Sequence, residues 1–455
     1  MPTYFAQGSP TTDLTPEDLR AALAGTFEKL EPRKRVLALP PDFTRVNSMA
    51  GPLTRMAYEY FQQRLVDVMP ALGTHTPMFD WQLDRMLAGV PRELIRVHDW
   101  RNDVVTIGEV PADFVCRSTE GVWERPWPAQ LNRLVWEGGH DLILSLGQVV
   151  PHEVIGMANY NKNLFVGTGG SKGINESHFI GAVYGMERMM GRADTPLRRI
   201  LNYAQDHFCK RLPLLFILTV IAPRRAGEEM GTGFEPLPEN SGKRPSGKVP
   251  VPISSDGGLA VRGLYIGSDV ECFELAAKLS LQVNFTVLDE APQKVVVYLD
   301  PEEFHSTWLG NKAVYRTRMA IADGGELVVL APGVSSFGEG PQIDRLIRKY
   351  GYCNTPRIMQ YVRETADLPH NLSAAAHLIH GSSEARFTIT YCPGKLTREE
   401  IESVGYQYAD LDDMLRRYGP GSLREGWNTL ATGERIYYIG NPALGLWAHP
   451  SRLGA

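Results

Sequence analysis

The sequence has neither a block of basic residues nor an apolar run long enough to cross a membrane. The formal net charge of −5 is spread over 455 residues, which argues against nucleic acid or an anionic lipid surface as the main partner. The longest apolar stretch, residues 212–222, includes Pro213 and falls well short of the roughly 20 residues of a membrane helix. The first residues also lack the charged and apolar segments of a signal peptide. We therefore expect a cytoplasmic protein with a small-molecule ligand.

Cysteine is scarce, and its spacing carries no signal for a disulfide framework or a metal cage. The five cysteines are odd in number, widely separated and without a Cys-x-x-Cys pair: Cys116, Cys209, Cys272, Cys353 and Cys392. We interpret them as packing residues. The composition, 43% apolar and 22% charged, is ordinary for a globular protein. A chain of this length predicts two domains.

Short apolar or β-branched runs that end in polar, glycine-bearing or proline-bearing turns predict buried strands. These runs cover residues 35–39, 66–69, 141–146, 295–298 and 326–330. Helical patterns lie between them, for example at residues 56–66 and 343–350. The alternation predicts an α/β fold with mainly parallel sheets flanked by helices.

We predict an N-terminal α/β domain of residues 1–280 and a C-terminal α/β domain of residues 281–455, with the active site in the cleft between them. Residues 224–258 are rich in Gly, Pro, Ser and charge, and we interpret them as a loop insertion in the N-terminal domain. No internal repeat is evident.

Polar residues follow three of the predicted strands. Asp42, Thr44 and Arg45 follow the first, His75 the second, and His152 the third. Ligands of parallel sheets gather outside the carboxyl ends of the strands, so this placement predicts a site there.

Three residues stand at fixed offsets: His152, Lys162 ten positions on, and His178 sixteen beyond that. Together with His75 they provide two histidines suited to proton transfer, an amine able to hold a cofactor, and an imidazole able to bind a metal. Each residue also has an ordinary structural interpretation. A histidine after a strand is commonly a hydrogen-bonded turn residue, a lysine is commonly solvated, and His178 could be a buried residue at the start of a helix.

The order and offsets of these motifs, from residues 41–45 through Asn311-Lys312-Ala313 to residues 338–340, resemble the nickel-dependent lactate racemase family. Members of that family carry a nickel-pincer nucleotide (pyridinium-3,5-bisthiocarboxylic acid mononucleotide nickel) on a lysine. The resemblance implies an isomerase, a racemase or 2-epimerase that inverts C2 of a 2-hydroxy acid by proton-coupled hydride transfer to this cofactor. It also implies cofactor-synthesis enzymes as loading partners.

The resemblance implies a role for each matched residue. His75 and His152 would be the catalytic acid and base, Lys162 the covalent anchor and His178 the nickel ligand. The implied substrate contacts are Arg45 and Lys312, and Trp308 is predicted as a further one. The predicted cofactor contacts are Asp42, Thr44, Gly169 and Gly170. From the sequence alone, the glycine-rich residues 167–173 could equally be an anion nest or a flexible turn.

Two departures from the family pattern bear on the substrate. Residues 158–161, Ala-Asn-Tyr-Asn, replace glycine-rich residues before the lysine, and Leu309 replaces a glutamine. Hydrogen-bonding side chains at positions 159, 160, 161 and 163 predict a substrate more polar than lactate, such as the sugar acid D-gluconate. These side chains could instead contact the cofactor or solvent, with lactate or malate as substrate.

Two other functions remain open at this point. In one, Lys162 forms a Schiff base with a carbonyl substrate or pyridoxal phosphate. In the other, a non-enzymatic protein captures a carboxylate. His98-Asp99 is predicted to be a structural His–Asp pair. His305 and Trp308 are candidates to supply the polar contact that Leu309 cannot make.

Overall fold

The computed structural model describes residues 3–30, 32–224 and 258–453. Most of the predicted insertion, residues 225–257, therefore lies outside the described residues.

The strands in the described ranges are β1 Thr3–Gly8, β2 Val36–Leu39, β3 Leu65–Val68, β4 Val104–Val110, β5 Trp127–Asn132, β6 Leu142–Gln148, β7 Pro151–His152, β8 Gly156–Met157, β9 Leu214–Pro223, β10 Leu259–Gly267, β11 Phe285–Val287, β12 Lys294–Tyr298, β13 Glu326–Ala331, β14 Thr388–Pro393, β15 Gln407–Tyr408, β16 Gly426–Thr429, β17 Arg435–Ile439 and β18 Leu446–Ala448. The α-helices there are α1 Pro16–Phe27, α2 Ala50–Phe61, α3 Asp80–Met86, α4 Ala112–Ser118, α5 Arg133–Glu137, α6 Ser171–Tyr184, α7 Met186–Met189, α8 Pro196–Phe208, α9 Val270–Asn284, α10 Thr307–Gly310, α11 Lys312–Thr317, α12 Pro341–Tyr350, α13 Thr355–Glu364, α14 Leu372–His380, α15 Arg398–Ser403 and α16 Leu411–Tyr418.

The chain divides into two compact units. Among the described residues, unit 1 comprises 3–30, 32–174, 191–224 and 258–283. Unit 2 comprises Asn175–Met190 and 284–453. A short segment from the first half of the chain thus belongs to the unit formed by the second half.

Unit 1 is built on a six-stranded sheet of order β1-β10-β9-β6-β2-β3. Strands β9, β6, β2 and β3 pair in parallel, whereas β1, β10 and β9 pair in antiparallel fashion. Every residue of β2 and β6 is buried, as expected for parallel strands covered on both faces. Helices α1 and α2 contribute Leu19, Leu23 and Leu53 to the core on this sheet.

Unit 2 contains a second six-stranded sheet, of order β15-β14-β13-β12-β17-β16. Its strands are parallel except for the β16–β17 pair. Val296, Val328 and Cys392 lie in the core of this sheet. The predicted α/β fold with mainly parallel sheets flanked by helices is confirmed, and each of the five predicted strand segments overlaps an observed strand.

The prediction of a helix over residues 56–66 was wrong at its end. Helix α2 begins at Ala50 and ends at Phe61, a 3₁₀ turn follows, and residues 65–68 form β3. Gln62 has a φ of 51°, a left-handed conformation that a helix cannot continue through. The helix predicted at residues 343–350 is confirmed as part of α12.

None of the helices in the described ranges is long and apolar enough to cross a membrane.

All five cysteines are unpaired thiols, and Cys209, Cys272 and Cys392 are buried. Burial raises the pKa of each buried thiol to about 12, which suits packing better than reactivity.

Candidate active site

Two neighbouring parallel strands bring Asp42 and His75 together. β2 pairs with β3, and the pairing continues past their ends, where Ala71 donates a backbone hydrogen bond to Pro40 (2.8 Å) and Pro41 bridges to Ala71. Asp42 then opens the 3₁₀ helix Phe43–Ser48, while the chain after β3 turns at Gly73 toward His75. Both side chains therefore lie at the carboxyl edge of this sheet, as predicted.

The Asp42 carboxylate holds the His75 ring. Asp42 Oδ2 lies 2.6 Å from His75 Nδ1, and Thr44 Oγ1 donates to Asp42 Oδ1 at 2.6 Å. Burial would raise the pKa of Asp42, but His75, Thr44 and Arg45 together bring it below its ordinary value. An ionised Asp42 assigns the proton of a neutral His75 to Nδ1 and makes Nε2 the proton-accepting nitrogen. The His75 side chain is 30% exposed, so a substrate could reach it.

His152 has the opposite tautomer. It ends the short strand β7, and the Val154 amide donates to its Nδ1 at 3.1 Å across the tight turn before β8. In the neutral ring the proton is therefore on Nε2. The Glu153 carboxylate stands 3.7 Å from the same Nδ1, a position that stabilises the ring when it is protonated. His152 is buried.

Lys162 lies in unusual backbone surroundings. Asn159 and Tyr160, which precede it, have φ values of 63° and 57°, and a π-helical turn, Asn163–Gly167, follows it directly. Left-handed non-glycine residues and π-turns are both found preferentially at functional sites. The lysine side chain is half-buried, and no hydrogen bond or ion pair occupies its amine within the described part of the chain.

The Lys162 amine is tuned toward its neutral form. Burial lowers the pKa of Lys162 to about 8, and the charges of Arg45 and Arg198 act in the same direction, whereas Glu153 and Asp42 oppose them. The carboxylates of Asp42 and Glu153, which lie beside the two histidines, thus also act on Lys162. The structure of unit 1 therefore brings together Asp42, Arg45 and Lys162, with His75 bonded to Asp42 and His152 beside Glu153.

The polar side chains around Lys162 are engaged inside unit 1. Asn161 donates to Asn202 Oδ1 at 2.7 Å and accepts from Arg198, and Asn163 donates to the carbonyl of Leu39 at 2.9 Å. All five residues from 158 to 163 other than Lys162 are buried.

Tyr160 is engaged in the same way. Its hydroxyl accepts from Gln205 at 3.0 Å, and its ring packs against Phe216 and Phe273. Asn159 accepts from the Tyr160 amide at 2.7 Å. These side chains already have partners within the protein, which weakens the argument that they pair with substrate hydroxyls. That argument stays a prediction.

Close packing accounts for the glycines after the π-turn. A Cβ on Gly169 would stand 1.8 Å from the carbonyl oxygen of Phe165, and one on Gly170 would stand 2.6 Å from Gln130 Oε1. The same Gln130 oxygen accepts from the Gly173 amide at 3.2 Å. A cofactor contact by Gly169 and Gly170 stays a prediction, as do the predicted cofactor contacts of Asp42 and Thr44.

The remaining predicted residues belong to unit 2. His178 is half-buried within α6, and Lys312 begins α11 with Nζ 3.8 Å from Glu303 Oε1. The Trp308 ring packs on His377 at a centroid distance of 4.3 Å. No group of three or more metal-binding side chains occurs among the described residues. The metal and substrate roles of these residues stay predictions.

The predicted His98–Asp99 pair was wrong. His98 Nε2 donates to the carbonyl of Gly169 at 3.0 Å and Nδ1 accepts from Asn132 at 3.1 Å. Asp99 instead accepts from the amides of residues 101 and 102. Burial lowers the pKa of His98, so the ring is a neutral structural brace beneath the glycine loop. His305 is exposed.

Sequence reasoning missed two charged residues next to the site, Glu153 and Arg198. Glu153 follows His152 directly in the chain, so the sequence already placed a carboxylate beside a predicted catalytic histidine. Arg198 has no such signal, because 36 residues separate it from Lys162 and only the fold places its guanidinium under the lysine turn.

Comparisons with solved structures show the fold. A Thermotoga maritima protein solved by structural genomics superposes with a TM-score of 0.78 at 22% identity, covering 98% of this chain and 100% of that one. The lactate racemase apoprotein from Thermoanaerobacterium thermosaccharolyticum superposes with a TM-score of 0.63 at 15% identity, covering 97% and 93%. No protein-family model and no curated protein matches the sequence. The chain therefore has a lactate racemase-like fold.

Proposed function

We propose that the protein is a racemase or 2-epimerase of 2-hydroxy acids that works with a nickel-pincer nucleotide. The observation that carries the proposal is the pair of complementary histidines. His75, oriented by Asp42, presents a proton-accepting Nε2, whereas His152, bonded by the Val154 amide, presents a proton on Nε2. Inverting a stereocentre in both directions requires one base and one acid that exchange roles.

The lactate racemase-like fold agrees with this chemistry. At 15% identity the likeness supports the architecture, so the activity rests on the residues of this chain.

Lys162 fits a covalently held cofactor. An amine whose pKa is lowered to about 8 is partly neutral at physiological pH, so its lone pair can attack a thioacyl carbon and displace the leaving group bound there. His178 would supply one imidazole to the metal, because a pincer brings its other donors itself. When bound, the cofactor would supply a hydride acceptor at its pyridinium ring.

The protein residues would then move protons and hold the substrate. His75 Nε2 would take the proton of the substrate hydroxyl, and in the same turnover His152 Nε2 would give a proton to the hydroxyl oxygen of the inverted product. In the reverse reaction the two histidines would exchange these roles. Arg45, half-buried beside Asp42, has the planar fork that binds a carboxylate through two hydrogen bonds. Lys312 and Trp308 are proposed as further substrate contacts.

The substrate proposal is a 2-hydroxy acid in general. The support for a sugar acid such as D-gluconate is reduced, since Tyr160, Asn161 and Asn163 have hydrogen-bond partners within the protein, and it stays the finer proposal. Lactate, malate and gluconate should be assayed side by side for C2 inversion. Faster turnover of gluconate than of lactate would restore the sugar-acid proposal.

The test of covalent loading is intact mass and metal content of the full-length protein expressed with the cofactor-synthesis enzymes. We expect a nucleotide-sized adduct on the peptide that contains Lys162, absent from Lys162→Ala and kept in the control Lys172→Ala. His178→Ala should keep the adduct and lose nickel. An adduct mapped to Lys172 or Lys312 would contradict the assignment.

A Schiff-base enzyme is the second candidate, because a half-buried lysine of lowered pKa is also what imine formation requires. Borohydride treatment separates the two. Reductive trapping of a carbonyl compound or of pyridoxal phosphate on Lys162, with no nucleotide adduct, would favour the second candidate.

A further inference from the structure

Arg198 is a fully buried cation under the turn that leads to Lys162. It lies in the first turn of α8 and is only 1% exposed. Its bonds go to neutral oxygens: Nη2 donates to the carbonyl of Met157 at 2.7 Å, both terminal nitrogens reach the carbonyl of Asn159 at 3.4 Å, and Nη1 donates to Asn161 Oδ1. In the described part of the chain no carboxylate neutralises this charge.

Burying such a charge is costly. Burial lowers the pKa of Arg198 to about 9, so the group still carries its charge at neutral pH. Phe273 offers partial compensation, with its ring centroid 4.2 Å from the guanidinium carbon. A cost of this kind in a packed interior indicates a role that a neutral residue would not fill.

The turn that Arg198 contacts is strained. Asn159 and Tyr160 are left-handed, a conformation that costs about 1–2 kcal/mol for each non-glycine residue. Arg198 bonds to residues before, within and after this pair, at Met157, Asn159 and Asn161. A planar fork with several donors can hold acceptors on both sides of a turn at once, which a single ammonium cannot do.

We propose that Arg198 is a positioning residue for Lys162. The Arg198 guanidinium holds the turn of residues 157–161 through its hydrogen bonds. The turn thereby keeps the Lys162 amine half-buried beside Asp42, Arg45 and Glu153. The proposal rests on the proposed function in treating Lys162 as the reactive group. If the turn relaxes, the amine gains water and loses the nearby positive charge, and both changes favour its protonated form.

The experiment reads the Lys162 amine directly and needs no cofactor. Full-length unloaded protein is treated with limiting acetic anhydride between pH 6 and 10, and acetylation of each lysine is followed by peptide mass spectrometry. Wild-type Lys162 should show a labelling midpoint near pH 8. Arg198→Met should move that midpoint upward and slow the labelling of Lys162 at pH 7 by roughly three- to tenfold.

Arg198→Lys, which keeps the charge but only one bonding group, should give an intermediate midpoint. Arg199→Met changes the next residue on the same helix, which pairs with the exposed Asp194, and should leave the midpoint unchanged. The exposed Lys172 gives an internal reference in every sample.

A purely structural brace would lower the melting temperature without moving the midpoint. A folded Arg198→Met protein with the wild-type midpoint would therefore overturn the proposal. If that variant does not fold, an unshifted midpoint in Arg198→Lys would overturn it instead. Failure of nucleotide loading in the earlier test would leave this measurement unaffected, so the two proposals fail separately.

Discussion

A neighbouring group assigns the tautomer of each proposed catalytic histidine. The carboxylate of Asp42 fixes the proton of His75 on Nδ1, and the backbone amide of Val154 keeps the proton of His152 off the same atom. The Asp42 side chain can be replaced without changing the backbone, whereas removing the Val154 N–H would require proline. Asp42 is therefore the residue through which the pair can be tested.

Asp42→Asn should keep the position of the His75 ring. The amide can donate as well as accept a hydrogen bond, so it no longer fixes the His75 proton on Nδ1. We expect turnover of the loaded enzyme to fall by roughly 10²–10⁴-fold, mainly in kcat, because the tautomer needed for proton acceptance is lost. Nitrogen chemical shifts of His75 should report the change of tautomer in the unloaded protein. Retention of both full turnover and the wild-type shifts would contradict the assignment, and Asp80→Asn, on the exposed start of α3, serves as control.

Lys162 should also affect the free energy of unfolding and its dependence on pH. Its folded pKa of about 8 lies below the ordinary 10.5, so below pH 8 the charged amine favours the unfolded state. This penalty vanishes as pH rises from 8 to 10.5. Lys162→Met should therefore raise the free energy of unfolding of the unloaded protein at pH 7 by about 1–3 kcal/mol, and by less at pH 10. Urea denaturation at both pH values measures this, with Lys172→Met as control. An equal gain at both values would refute the interpretation.

At the scale of elements, periodicity predicted five of the strands and mainly parallel sheets, but not the end of α2. Buried runs such as β2 and β6 are visible in the sequence because both faces are apolar. The end of α2 depends on a left-handed Gln62, a residue with no such preference in sequence, so the prediction ran past it.

The candidate site was predicted only in part for a related reason. Strand ends predicted that Asp42, His75 and His152 lie at one edge of a sheet. Which side chains they bond depends on the turns between elements. That is why the Asp42–His75 bond, the internal bonds of Asn161 and the true partners of His98 emerged only with the structure.

Gly147 shows how closely β6 and the lysine turn fit. It has a φ of 138°, and a Cβ there would stand 2.5 Å from Asn159 Nδ2. Gly147→Ala should destabilise the protein by about 1–3 kcal/mol, because it strains the backbone and displaces Asn159. The matched control is Gly25→Ala in α1, where a Cβ meets nothing within 4 Å. It should be neutral or stabilising by up to about 1 kcal/mol. Thermal unfolding distinguishes the two, and equal melting temperatures would contradict the prediction.

At the scale of the whole molecule, the excursion Asn175–Met190 contributes to a small apolar cluster of unit 2. Met186, at 1% exposure, packs in a cluster with Tyr315, Met319 and Leu446. Met186→Ala should destabilise this cluster by about 2–5 kcal/mol. Hydrogen exchange should quicken in α11 and β18 of unit 2, although the mutation lies in the first half of the chain. Met186→Leu, which preserves volume, should cost less than about 1.5 kcal/mol. Unchanged hydrogen exchange in α11 and β18 would argue against a contribution of Asn175–Met190 to the stability of this cluster.

The same excursion, Asn175–Met190, affects the order in which parts of the chain can fold during synthesis on the ribosome. Helix α7 emerges long before Tyr315, Met319 and Leu446, the residues that bury Met186. Domains usually fold as units, N-terminal first, during synthesis. Here Met186 lacks these packing partners until nearly the last strand is translated. We expect this interval to be the stage of biosynthesis at which the protein depends most on chaperones.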